Sequence, residues 1–64
     1  MNARYILINL DDEEDCKLFT NLRNLSEYLI EMYSINKSHM YYQRSLNSNS
    51  KLYIDRLLIV KILL

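Results

Sequence analysis

Residues 20–33 read TNLRNLSEYLIEMY and carry the clearest periodic pattern in the chain. Apolar residues recur at spacings of 4, 3, 4 and 3 from just before this stretch to its end, at Leu18, Leu22, Leu25, Leu29 and Met32. That spacing places them on one stripe of an α-helix. Thr20-Asn21 precedes the helix, where a side-chain oxygen can accept a hydrogen bond from its first turn. We therefore expect a helix here, with the rest of the chain packed against its stripe.

Length and composition limit the kind of protein that this helix can belong to. The chain has 64 residues, which is one domain spanning residues 1–64, and half of them are hydrophobic. A chain of this length buries only about 60% of its unfolded surface. Its single cysteine, Cys16, allows no internal disulfide. Self-association would stabilise such a chain, so we expect a homo-oligomer.

The same composition bears on the compartment. No stretch has the pattern of a signal peptide. The longest uncharged apolar run, residues 57–60, is far shorter than the roughly 20 residues that span a bilayer. We therefore expect a cytoplasmic protein without membrane contact, in the host cytoplasm if a phage encodes it.

Charge is unevenly divided along a chain whose formal net charge is zero. Residues 1–33 carry three basic and seven acidic side chains, a net charge of −4. Residues 34–64 carry five basic side chains and one acidic one, a net charge of +4. This separation predicts a charge dipole, whose two ends can dock on different partners or on each other.

The N-terminal third predicts a strand followed by an ambiguous acidic segment. Residues 4–10, RYILINL, are rich in β-branched and aromatic residues, and both alternating faces are largely apolar, which favours a central strand. Residues 11–15, DDEED, are either the loop of a hairpin whose return strand is residues 16–19, or the acidic first turn of one long helix reaching Tyr33. The hairpin is favoured because Thr20-Asn21 is a natural helix cap.

The second half predicts a helix, a loop and a closing strand. Asn36 or Ser38 can cap a helix that runs to about Asn47, with Met40, Tyr41 or Tyr42, and Leu46 towards the first helix. Residues 45–51, SLNSNSK, are typical of a loop. Residues 57–63 favour a strand, with a short one before it at 52–54, while a helix over 52–64 is the open alternative. The predicted fold is a small α+β domain with an N-terminal strand or hairpin, two helices arranged as in a helix-turn-helix, and a C-terminal strand.

This order of elements, with FTNLRNLSEYL and INKSHMYYQRSL, resembles the small nuclease-associated helix-turn-helix DNA-binding modules of phages over residues 5–46. In such modules the second helix enters the major groove. The resemblance therefore implies contacts to double-stranded DNA from the second helix, at Lys37, Ser38, His39, Tyr41, Gln43 and Arg44. The family pattern favours glycine in its turns, whereas this chain contains no glycine.

Two function classes are compatible with the sequence. The first is a small phage accessory protein that binds a larger host protein or nucleoprotein complex, as an inhibitor or adaptor such as an anti-CRISPR protein. Six tyrosines suit an interface, and the acidic run offers candidate partner-binding residues at Asp11, Asp12, Glu13, Glu14 and Asp15. The alternative is a helix-turn-helix DNA-binding regulator, for which a neutral net charge is unfavourable.

Catalysis and metal binding have little support in the sequence. Cys16 and His39 are the only pair that could act as nucleophile and base, and no pattern brings them together. No zinc-ligand spacing or glycine-bearing calcium loop is present. We expect Cys16 to be a small buried hydrophobic residue, and we expect no enzyme activity, no metal and no cofactor.

Overall fold

The secondary-structure elements form a four-stranded sheet with two helices in a computed structural model. They are β1 (Ala3–Asn9), β2 (Asp12–Phe19), α1 (Leu22–Tyr33), α2 (His39–Ser48), β3 (Lys51–Ile54) and β4 (Leu57–Leu63). The structure describes residues 2–63, apart from the side chain of Glu13. The α+β prediction is confirmed, with strands at both ends of the chain and two helices between them.

The sheet has the strand order β2-β1-β4-β3, and all neighbouring strands are antiparallel. It consists of two hairpins that meet along β1 and β4, which pair from Ala3–Leu63 to Asn9–Leu57. The backbone N–H of Leu10 donates to the carbonyl oxygen of Arg56 at 2.8 Å and so ties the two hairpin turns together. The central position expected for β1 is therefore correct, and the helical alternative for residues 52–64 is wrong over the described part of that range.

The acidic run lies mostly within β2. The hairpin prediction is right, but the prediction that residues 11–15 form its loop is wrong, because β2 begins at Asp12. β2 is an edge strand with β1 as its only neighbour. An edge strand can carry charged side chains without burying them, and such charges discourage further strand pairing. The register is irregular here, since Ile8 pairs with Cys16 and Asn9 pairs with Asp12.

Helix α1 begins directly after the predicted cap Thr20-Asn21, but its apolar stripe is shorter than predicted. The Oδ1 of Asn21 caps it by accepting from the N–H of Asn24 at 2.8 Å. Leu25 and Leu29 are fully buried, as the periodicity predicts. Leu18 is 63% exposed because it lies on β2, ahead of the helix, and Met32 is 61% exposed in the last turn.

Helix α2 buries Tyr42 and Leu46 against the core, while Met40, predicted to face α1, is 46% exposed. Ser38 occupies the N-cap position without a side-chain cap hydrogen bond. The loop predicted over residues 45–51 is wrong except at Asn49-Ser50, because the buried Leu46 keeps the last turn of α2 in place.

The core lies between the two helices and one side of the sheet. Its buried members are Leu7, Leu25, Leu29, Tyr42, Leu46, Leu57 and Ile59. Tyr5 and Tyr28 are half-buried against it. Both helices therefore cover the same side of the sheet.

Candidate functional site

The two sides of the sheet differ in what covers them. In antiparallel strands, register partners have their side chains on the same side of the sheet. Leu7 pairs with Ile59, and both are buried in the core, which marks the side under the helices. Ile6 pairs with Val60, and alternation along the strands places both on the opposite side. We call this opposite side the open face.

The strand register arranges the open face in rows. An upper row crosses all four strands at Cys16, Ile8, Leu58 and Tyr53. A lower row crosses them at Leu18, Ile6, Val60 and Lys51. Arg4 and Ile62 form a pair below these rows, on the two central strands. The centre of the open face is therefore apolar, and the charged residues of these rows and of this pair, Lys51 and Arg4, lie at its margin.

Side chains of the open face are accessible and take no part in the core. Leu18 is 63% exposed and Tyr53 is 64% exposed. The residues on the central strands are half-buried, because neighbouring side chains shield one another, at Ile6, Ile8, Leu58, Val60 and Ile62. The partly buried residues that do pack against the core come from the helices, the segment between them and the other side of the sheet. Within residues 2–63, no helix covers the open face.

Cys16 lies on this surface, and the prediction that it is buried is wrong. The sequence contained a signal for the open face, since β1 is apolar on both of its faces, but it did not show that both helices pack on one side. His39, the only possible base for Cys16, belongs to α2 on the other side of the sheet. The structure does not bring these two residues together.

The two ends of the sheet carry opposite charge. The turn end, where β1 joins β2 and β3 joins β4, holds one basic residue, Arg56, and several acidic residues: Asp11, Asp12, Glu14, Asp15 and Asp55. The far end, where β1 begins, holds Arg4, Arg23 and Lys61. The sheet is therefore a dipole along its strands, but not the one between sequence halves that was predicted, because Arg4 and Arg23 of the basic end belong to the acidic half of the sequence.

Part of the acidic run is already paired within the chain. The Oδ1 of Asp11 accepts from Arg56 at 3.0 Å, in an ion pair whose side chains are both more than half exposed. The Oδ1 of Asp12 accepts from the backbone N–H of Glu14 at 3.2 Å. Glu13, also predicted to bind a partner, has its side chain outside the described part of the structure.

Asp15 is turned towards the helices. Its Oδ2 accepts from the hydroxyl of Tyr33 at 3.2 Å and from the Nδ2 of Asn9 at 3.5 Å. Burial, and then the hydrogen bond to this carboxylate, raises the pKa of Tyr33 above its usual value. The carboxylate of Asp15 thus fastens the end of α1 to β2.

The residues predicted to contact DNA divide between two sides of α2. The Nζ of Lys37 lies 5.0 Å from the ring centroid of Tyr41. Arg44, three residues after Tyr41, lies on the same outer side of the helix and is exposed. Ser38 is exposed just ahead of the helix.

His39 and Gln43 face a cleft of about 670 Å³ between α2, the start of α1 and the far end of the sheet. Arg23 and Lys61 also line it, Arg4 borders it although the strand register turns its side chain towards the open face, and none of the described lining residues is acidic. We call it the basic cleft. The register partner of Lys61 is Tyr5, which places this lysine on the helix side of the sheet. A cleft of this size and charge can accommodate a small anionic group such as a phosphate.

The described residues contain no group of three or more His, Cys, Asp or Glu side chains that could hold a metal ion. Neither described helix is long and apolar enough to cross a membrane.

No family model, curated protein or solved structure matches this chain. The resemblance to phage helix-turn-helix modules over residues 5–46 therefore stays a prediction.

Proposed function

We propose that this chain is a protein-binding module and that the open face is its docking surface. One observation carries the proposal: large apolar side chains fill a sheet surface that no described helix covers, namely Ile6, Ile8, Leu18, Tyr53, Leu58, Val60 and Ile62. Strand and residue spacings give this surface a footprint of about 350 Å². Contiguous apolar patches of this size on small proteins are often functional.

The side-chain pattern of the sheet supports this proposal. An antiparallel sheet with one solvated side normally alternates apolar residues with polar ones. Here Leu7 is buried under the helices, and both of its neighbours, Ile6 and Ile8, are also apolar. Ile6 and Ile8 add nothing to the chain's own core. Contact with a second protein surface is therefore the simplest explanation of why these two side chains are apolar.

The composition of the open face matches that of protein interfaces. Such interfaces have an apolar centre, are enriched in tyrosine and arginine, and place their charges at the rim. Tyr53 lies at one edge of the open face, and Arg4 and Lys51 lie at its margin. An inhibitor or adaptor could use this surface to cover an apolar surface of its partner.

The proposed surface differs from the one that the sequence suggested. The acidic run was the candidate for partner binding, but Asp11 is paired with Arg56 and Asp15 is bonded to Tyr33. These contacts leave Asp12 and Glu14 as its exposed carboxylates with described side chains. We therefore assign the acidic run to the rim of the docking surface, where charges orient a partner.

Site-specific photo-crosslinking in cells tests this proposal. A benzophenone amino acid replaces Tyr53 on the open face or, as the control, Met32, which is equally exposed on α1. We expect a protein adduct of defined mass from position 53 and none from position 32. The captured protein must then bind the purified wild-type chain, and it must not bind the Val60→Lys variant. The absence of any adduct specific to position 53 would contradict the proposal.

The basic cleft favours a second candidate function, which is binding to double-stranded DNA. His39 and Gln43, two of the residues predicted to contact DNA, line it together with Arg23 and Lys61. Basic side chains neutralise backbone phosphates, whereas polar side chains can reach base edges. The supporting feature is therefore the concentration of positive charge on one side of α2.

Fluorescence anisotropy of labelled duplex DNA at about 50 and 200 mM salt tests this second function, because phosphate contacts make affinity fall steeply with salt. If the basic cleft binds, Arg23→Glu with Lys61→Glu should abolish binding, while Lys37→Glu with Arg44→Glu on the outer side of α2 should weaken it less. The reverse order would assign binding to the outer side of the helix. No binding at micromolar protein would remove this function.

A further inference from the structure

We infer that the occupant of the open face is a second copy of this chain, packed sheet against sheet with the turn end of each copy over the far end of the other. This inference rests on the proposed function, because it names the partner of the same surface. In this arrangement a two-fold axis lies between the two sheets and runs perpendicular to the strands. Both copies then use the same surface, as in most homodimers.

The rows of the open face complement each other under this symmetry. With the axis midway between the two rows, the upper row of one copy lies over the lower row of the other. Ile8 then lies over the partner's Ile6, and Leu58 lies over the partner's Val60. Packed sheets lie about 10 Å apart, with their strands within about 30° of each other, so side chains of this size fill the space between them.

The residues on the two edge strands of the open face also lie over favourable neighbours in the second copy. Lys51 and Tyr53 lie on the same side of β3 in adjacent rows. The two-fold operation places Lys51 over the partner's Tyr53, where an ammonium group can lie on an aromatic ring. On the other edge, Leu18 covers the partner's Cys16. Neither pairing buries a charge without a favourable neighbour.

Charge selects this orientation over the other two-fold arrangement. An axis parallel to the strands would place the acidic turn end of one copy over the acidic turn end of the other, with β2 of each copy over β3 of its partner, and would so bring like charges together. The end-over-end arrangement instead brings Arg4 of each copy towards the partner's acidic turn. Because the contact occurs twice in a symmetric dimer, opposite charges favour it and like charges disfavour the alternative.

The size of the open face sets the expected strength of the dimer. Its flat footprint of about 350 Å² per copy gives about 700 Å² for two copies, below the roughly 1,200 Å² of standard specific interfaces and in the range of weak, transient ones. We therefore expect a reversible dimer with a dissociation constant in the micromolar range.

A charge-exchange experiment tests both the partner and its orientation. Dissociation constants are measured by sedimentation equilibrium for the wild type, for Arg4→Glu, for the turn variant Glu14→Lys, and for an equimolar mixture of the two variants. We expect each variant alone to dimerise about tenfold more weakly, because each now places like charges together. The mixture should recover wild-type affinity, since the substituted glutamate of one variant meets the substituted lysine of the other. Glu31→Lys, on the exposed side of α1, is the matched control and should change nothing.

Each outcome has a distinct meaning. If the wild type dimerises but the mixture recovers no affinity, the end-over-end orientation is wrong. If the wild type stays monomeric while position 53 crosslinks a different protein, the second copy is wrong and the protein-binding function stands. If the wild type stays monomeric and position 53 gives no specific adduct, both proposals fail.

Discussion

Ile6 of β1 and Val60 of β4 are register partners at the centre of a sheet surface on which no described helix lies. The adjoining register partners, Leu7 and Ile59, are 3% and 0% exposed beneath the helices. Two apolar pairs that are neighbours along the same strands therefore have opposite surroundings. The helices explain the burial of one pair, and we assign a second protein surface to the other.

Truncating a leucine should have very different effects on the two sides of the sheet. Leu25 is fully buried in the core, so Leu25→Ala should lower the free energy of unfolding by about 2–5 kcal/mol, through lost burial and the cavity left behind. Leu18 was predicted to lie on the same stripe but is 63% exposed on β2. Leu18→Ala, measured by urea denaturation at dilute protein, should therefore change stability by less than about 1 kcal/mol. Equal losses in the two variants would contradict the placement of Leu18.

Removing one hydroxyl group should stabilise the protein. Tyr42 is fully buried, and its OH has no hydrogen-bond partner among the described residues. An unsatisfied buried polar group costs about 1–3 kcal/mol, so Tyr42→Phe should raise the free energy of unfolding by roughly 1 kcal/mol. Tyr53→Phe is the control, because the ring of Tyr53 lies on the protein surface and its loss of a hydroxyl should be neutral. A destabilised Tyr42→Phe protein would show that the hydroxyl has a partner.

The same tyrosine should make stability depend on pH in alkaline solution. Burial, and then the neighbouring Tyr41, raises the pKa of Tyr42 from 10.0 to about 12. Because the folded-state pKa is raised, the stability contribution is complete below pH 10 and is lost as the pH rises from 10 towards 12. The loss is on the order of 2–3 kcal/mol. Urea unfolding at several pH values should show the wild type losing more stability than Tyr42→Phe, and parallel curves would contradict the shift.

A glycine should be favourable at the end of α1. Ser34 adopts a left-handed conformation with φ of 57°, and its N–H donates to the carbonyl oxygen of Ile30 at 3.1 Å. Glycine takes this conformation without steric cost, so Ser34→Gly should stabilise the protein by roughly 0.5–1 kcal/mol. Ser45→Gly, inside α2, should destabilise it by about 0.5 kcal/mol because glycine disfavours helix interiors. Thermal unfolding of both variants distinguishes a local backbone effect from a general response to glycine.

Local sequence patterns predicted which segments form helices and strands better than they predicted where those segments lie in the fold. The 3.6-residue periodicity identified Leu25 and Leu29 as core residues. The apolar character of both faces of β1 identified a central strand. The periodicity could not show that the apolar stripe begins only at the helix start, because Leu18 fits the same spacing although it lies on β2. It also could not recognise β2 as an edge strand, and so it placed the acidic run in a loop.

The surfaces required tertiary information. The side of the sheet that a residue such as Cys16 faces depends on a register irregularity between Ile8 and Asn9, which no local pattern contains. The basic cleft joins residues from opposite ends of the chain, Arg4 and Lys61, with His39 from α2. Their proximity follows from the pairing of β1 with β4. Individual residues of these surfaces could be proposed from the sequence, but their arrangement could not.

Sedimentation equilibrium of the wild type beside Val60→Lys tests the role of the open face most directly. Val60 lies at the centre of that face and outside the core, so a lysine there should leave circular dichroism and urea unfolding of the monomer nearly unchanged. Between about 1 and 500 µM, a range that brackets a micromolar dissociation constant, the wild-type mass should rise from 7.8 kDa towards twice that value. The Val60→Lys mass should stay at 7.8 kDa. A wild type that remains monomeric throughout, or a Val60→Lys variant that dimerises equally well, would contradict dimerisation through the open face.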